Sequence, residues 1–199
     1  MNLSITQRLI LLACASTLAL FVVALAGHFS TRASRASLDD FQNRIAPGVA
    51  LLNKVERDFL NVRRDMLLHV IELYDTKKDV ARDAMAETRK QIDADLDRYE
   101  SELMLEPGER ELLTQVRQLL KTYDEVLKRV MDLSYNYDTD AAREVISTEG
   151  LALGRQISAA LDAHRRHNED YAARTREEAN LQADLLLRVE WGVGVLAIL

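Results

Sequence analysis

Apolar residues recur along the first third of the chain at alternating steps of three and four: Leu38, Phe41, Ile45, Gly48, Leu52, Val55, Phe59, Val62, Met66, His69 and Leu73. The spacing holds without a slip over five heptads and predicts one long helix with a coiled-coil-like seam. Pro47 falls inside the run and predicts a kink, because it lacks the amide hydrogen that a helix interior needs. Asp75-Thr76-Lys77-Lys78-Asp79 then provides a turn and an N-cap, with Asp79 expected in the next helix's first turn. The second stripe is Ala81, Met85, Thr88, Ile92, Leu96, Tyr99 and Leu103, broken by Glu106-Pro107-Gly108-Glu109. The third is Leu113, Val116, Leu120, Tyr123, Leu127, Val130, Ser134 and Tyr137. After Asp138-Thr139-Asp140 comes the fourth: Ile146, Gly150, Leu153, Ile157, Ala160, His164, His167 and Tyr171, continuing less cleanly through Leu181 and Leu185. Four stripes with short breaks predict an all-α, antiparallel up-down-up-down four-helix bundle.

The two ends follow a different pattern. Residues 9–27 carry no charge and are mostly Leu, Ala, Val and Ile, long enough for a transmembrane helix, which needs about 20 apolar residues. The competing reading is a cleaved signal peptide, since Ala24-Leu25-Ala26 resembles a cleavage site, but the run exceeds the usual ~7–15-residue apolar core. Leu11-Leu12-Ala13-Cys14 resembles a lipobox, with too short an apolar stretch before it. Beyond Glu190 the chain is apolar to Leu199, with Arg188 and Trp191 where interfacial anchors lie. The expectation is a chain cut inside a second transmembrane helix. The expected organisation is a tail at 1–8, a first span at 9–27, a sensing domain at 28–188 and the start of a second span at 189–199.

All charged residues except Arg8 and Glu190 lie within 28–188, so the net charge of −6 belongs to that domain. An acidic domain argues against a nucleic-acid partner. One cysteine excludes an internal disulfide framework and a cysteine-based zinc site, and two prolines argue against an all-β fold. The outer helices, about 28–74 and 139–188, overshoot the inner pair, about 77–104 and 109–137, by roughly 30 Å at 1.5 Å per residue. A two-helix stem of that length buries its apolar faces poorly, which predicts a homodimer.

These features resemble the sensor portion of a methyl-accepting chemotaxis receptor of the four-helix-bundle class. The carriers are Met1-Asn2-Leu3-Ser4-Ile5 before the first span and Asn43-Arg44-Ile45-Ala46-Pro47 early in helix 1. Others are the Arg63-Arg64 pair, Glu106-Pro107-Gly108-Glu109-Arg110-Glu111 opening helix 3, and Trp191. The resemblance implies an inner-membrane homodimer with its N-terminus in the cytoplasm, a periplasmic sensor and a small ligand bound far from the membrane. It also implies signalling through the second span to HAMP, adaptor and kinase-control modules beyond residue 199. The arginine clamp of the family's aspartate and serine receptors, with spacings of five and four, is not reproduced. From Arg64 those offsets reach His69 and Leu73; from Arg63 they reach Leu68 and Glu72. The alternative outputs are a sensor histidine kinase or cyclase, or a structural membrane-anchored coiled coil without a ligand.

Counting heights from both membrane ends places Arg63 and Arg64 level with Ala152 and Leu153, and with Thr88-Arg89 and Tyr123-Asp124. Arg63, Arg64, Thr88 and Tyr123 are therefore the candidate ligand-binding residues, two guanidiniums and two hydroxyls suited to a carboxylate such as an organic acid. The bland alternative pairs both arginines with nearby carboxylates and leaves Tyr123 in the core. His164 and His167 have metal-ligand spacing but no third ligand, so no metal or cofactor is expected. Tyr135, Tyr137, Asp138 and Arg143 near the distal turn form a second candidate cap or pocket. No nucleophile elbow, phosphate loop or paired-carboxylate motif is present, and the domain is expected to be non-enzymatic.

Overall fold

Each stripe becomes helical in the computed structural model, which describes residues 4–198. Helix α1 covers Ile5–Asp40 and is followed by a π-helical turn, Phe41–Ile45, and α2, Ala46–Ile71. Helix α3, Asp75–Arg98, ends in a second π turn, Tyr99–Leu103. Helix α4 is Glu109–Tyr135; α5, Thr139–Val145, a third π turn, Ile146–Gly150, and α6, Leu151–Ile198, complete the chain. No strand occurs among the described residues.

The described residues fall into two compact units, Met1–Phe41 with Tyr171–Leu199, and Gln42–Asp170. The second unit is the four-helix bundle and contains the buried core. Its layers mix all four stripes: Leu52, Val55, Phe59 and Val62 from α2, Ile92 and Leu96 from α3, Val116, Leu120 and Tyr123 from α4, and Ile157 and Leu161 from α6 are at most 1% exposed. Burying a side chain of this size contributes about 1.5–3 kcal/mol each, which is what holds such helices together. Contacts between helix ends fix the antiparallel order. At one end His69 meets Ser134; at the other, Tyr99 meets Glu109 and Asn168.

In the first unit the Arg176 guanidinium lies 6.0 Å from the Phe41 ring centroid. Leu9, Ile10, Leu18, Leu20 and Phe21 of α1 are exposed. Among the described residues no helix is long and apolar enough to cross a membrane. The side chains of Arg8, Leu11, Leu12, Ala15 and Ala26 lie outside the described residues, as do those of Val189, Glu190 and 193–199. Both expected spans therefore fall partly outside them.

Four local expectations are corrected. The irregularity at Pro47 takes the form of a π turn, wound just before a residue that can donate no bond to the carbonyl four positions back. Asp75, not Asp79, sits in the first turn of α3. Leu38, Leu73 and Tyr137 are 61%, 76% and 59% exposed, so the seams outrun the packed layers. Tyr137 also has φ 58, a left-handed conformation that the turn imposes. Finally, the inward line of α6 runs Gly154, Ile157, Leu161, His164 and Asn168, leaving His167 partly exposed. The expected stripe steps by three from Gly150 to Leu153 and so passes over Gly154, the next position round the helix. Asp138 does cap α5 as its position suggests, its side chain accepting from the Ala141 amide at 3.1 Å.

Candidate functional site

A cleft of about 230 Å3 opens between α2, α4 and the π turn Ile146–Gly150. Leu60, Met66, Leu67 and Ile146 make it mostly apolar, and Arg63, Arg64 and Tyr123 supply its polar groups. Helical spacing explains the arrangement: Leu60, Arg63, Arg64 and Leu67 are steps of three and four on one face of α2. Tyr123 comes from the buried stripe of α4, its ring edge-on to Phe59 at 4.9 Å between centroids.

Arg63 reaches from α2 to α6. A Cβ built on Gly154 of α6 would sit 3.3 Å from its Cζ and Nε, so the guanidinium rests where a side chain is missing. Its charge also acts on the Tyr123 hydroxyl. Burial pushes that phenol up, and the Arg63 guanidinium pulls it partly back. The Tyr123 hydroxyl otherwise meets Met66 Sδ at 3.8 Å, a weak acceptor. Among the described residues Arg63 forms no ion pair with a carboxylate. Arg64 differs: its Nε donates to Asp65 Oδ1 at 2.8 Å and its Nη1 to Asn61 Oδ1 at 3.3 Å. The bland reading thus fits Arg64 and not Arg63.

Thr88 does not line the cleft, and no residue of α3 does. Its layer is as expected, because Arg89 Nε donates to Asp124 Oδ1 at 2.9 Å, joining the neighbours of Thr88 and Tyr123. The level count is close as well, with Arg63 opposite Gly154 instead of Ala152 and Leu153. Residues missed in the sequence are Leu60, Leu67, Ile146, Gly150 and Gly154. The available signal was the pair of glycines one turn apart inside a helix, where glycine is unfavourable without a packing reason.

Two other polar clusters flank this site. Near the end of the bundle marked by Gly48, Glu109 and His164 are fully buried, with His164 Nε2 3.6 Å from Glu109 Oε2. Tyr99 donates to Glu109 at 2.6 Å, Asn168 donates to the Tyr99 hydroxyl at 2.7 Å, and His167 Nε2 lies 2.7 Å from Glu106 Oε1. Burial works against the Glu109 charge. The nearby His164 ring, with hydrogen bonds from Tyr99 and the Leu105 and Glu106 amides, outweighs it and holds the carboxyl below its ordinary value. Burial and Glu109 push the Tyr99 phenol up. No group of three His, Cys, Asp or Glu among the described residues is placed to hold a metal ion.

At the opposite end of the bundle Lys78 is buried, donates to the Ser134 carbonyl and sits 4.3 Å from the Tyr137 ring centroid. Tyr135 donates to Asp79 at 2.7 Å and Tyr137 to Asp75 at 3.0 Å. The predicted tyrosines thus tie the turn to the start of α3, while Arg143 stands apart, 3.6 Å from Asp140 on an exposed pair. These bonds close a helix-end cap with its polar groups already engaged.

The model of a family described as a four-helix-bundle sensory module for signal transduction matches residues 2–183. No curated protein matches the chain. The match covers all four helices and the cleft between them, and the chain belongs to the four-helix-bundle sensory modules of methyl-accepting chemotaxis proteins.

Proposed function

We propose that this chain is the extracytoplasmic sensor of a methyl-accepting chemotaxis receptor, and that it binds a small organic acid in the Arg63 cleft. The observation that carries this reading is Arg63 itself. It is a partly buried guanidinium without a carboxylate partner, beside the Tyr123 hydroxyl, on an apolar floor. A carboxylate entering there gains charge-assisted hydrogen bonds, and the apolar walls accept its carbon skeleton. Arg64, already paired with Asp65, guards the exposed rim.

The receptor is proposed to be a homodimer in the bacterial inner membrane, with residues 9–27 and the segment from 189 as spans and the sensor in the periplasm. Leu60, Leu67 and Ile71 support a dimer seat on α2, since they are 49%, 50% and 61% exposed at steps of seven and four. A seat on that face would put the mouth of the cleft beside the partner. The output, through HAMP, adaptor and kinase modules, involves no catalysis by this domain.

A thermal-shift screen of mono- and dicarboxylates on the full 199-residue chain tests the ligand. At least one should raise Tm, and Arg63→Ala should remove the rise. No stabilisation by any carboxylate would count against the organic-acid reading. Sedimentation equilibrium tests the dimer, with Leu67→Glu expected to weaken it.

A further inference from the structure

Gly154 is buried inside α6, where glycine weakens a helix relative to alanine. Its position has an evident use. The Arg63 guanidinium leaves α2, crosses to α6 and lies over Gly154, with Cζ and Nε 3.3 Å and Nη1 3.4 Å from where a Cβ would be. Tyr123 of α4 faces the same guanidinium. Gly150, one turn earlier, lines the cleft and keeps its wall low. Arg63 thus links its own helix to α6 and α4 from a single notch. The tip of an arginine is movable, unlike a packed ring, so the contact is set by the notch and can be broken by a competing anion.

We propose that Gly154 is the positioning residue for Arg63: the notch holds the guanidinium at the floor of the cleft, and a carboxylate that draws it outward acts directly on α6. This rests on the carboxylate-binding reading above and adds the link from the ligand to one particular helix. The mechanism involves no covalent step. An ion pair replaces a packing contact, so ligand occupancy is exchanged for loss of an α2–α6 contact.

The test uses the full 199-residue chain, ligand-free, in four forms: wild type, Gly154→Ala, Arg63→Ala and the double variant. In the Arg63→Ala background the alanine should raise Tm by about 2–4 °C, the ordinary helix gain. In the wild-type background it should give no rise or a fall, because the Cβ displaces the guanidinium. Equal effects in the two backgrounds, of either sign, overturn the proposal. Succinate then serves as the ligand probe: Gly154→Ala should tighten its binding about tenfold, because the contact that the ligand must break is already lost, and unchanged or weakened affinity also overturns it. If succinate does not bind wild type, the organic-acid reading loses support, while the four melting curves still decide the role of Gly154.

Discussion

His164 Nε2 on α6 lies 3.6 Å from Oε2 of Glu109, the first residue of α4, and neither side chain is exposed to solvent. Placing a carboxylate at a helix N-terminus favours its charge through the dipole and the free amides there. The amides of Leu105 and Glu106 reach Glu109 Oε1 at 2.8 and 3.0 Å. Burial of this charge is therefore offset by bonds from the loop and from Tyr99, with the His164 ring of α6 beside it. The cluster fixes one end of the bundle.

Glu109→Gln should cost about 1–3 kcal/mol at neutral pH, the range for an impaired buried hydrogen-bond set. The folded carboxyl is held below its ordinary value of 4.5. Its stabilising contribution is thus complete above that value and is lost as pH falls through the folded value. Urea unfolding at pH 7 and pH 4 should show the wild-type and variant curves converging in acid. A gap of constant size would refute the assignment.

His69 acts in the same sense at a higher pH, through a different cause. Burial, then the Lys78 and Arg82 charges, push its imidazole below 6.5. The unfolded chain takes up that proton first, so wild type should lose stability as pH drops below 6.5. His69→Gln should flatten the pH 7 to 5.5 segment of the stability curve. An unchanged slope would place the titration elsewhere.

Gly48→Ala should destabilise by about 1–2 kcal/mol despite the better helix propensity of alanine. The added Cβ would sit 3.3 Å from Tyr99 Cε2 and 3.6 Å from Asn168 Nδ2. Tyr99 is pinned by Glu109 and Asn168 and has no room to give. A chemical-denaturation midpoint equal to or above wild type would contradict this account.

Tyr123→Phe keeps the ring against Phe59 and loses a hydroxyl whose described acceptor is a sulfur at 3.8 Å. The stability change should stay under about 1 kcal/mol. Any carboxylate-dependent rise in Tm should nevertheless shrink, since the hydroxyl faces the proposed ligand. A full ligand response in this variant would move the site away from Tyr123.

Three of the four residues expected at the site share one cleft, because helix length and loop position fix height along a bundle. Arg63, Arg64 and Tyr123 meet at one level for that reason, and Arg89 with Asp124 confirms the layer. Thr88 lies outside that cleft, because a level does not say which two helices a cleft opens between. The buried polar cluster escaped as well: Glu109 reads as one more helix-start acid, and Asn168 as one more polar residue beside a histidine.

The sequence alone determined the helices and their order, since periodicity and breaks are local properties that each stripe carries in full. It also determined the family, through features spread over nearly the whole chain. Tertiary structure decided which face of α6 turns inward, that Arg63 lies over Gly154, and that Arg64 pairs with Asp65. Those outcomes depend on space left empty by a glycine and on which partner a charge finds first. Neither quantity is written in the hydrophobic pattern, because an absent side chain leaves no mark there and a charge can pair in several ways until the helices pack.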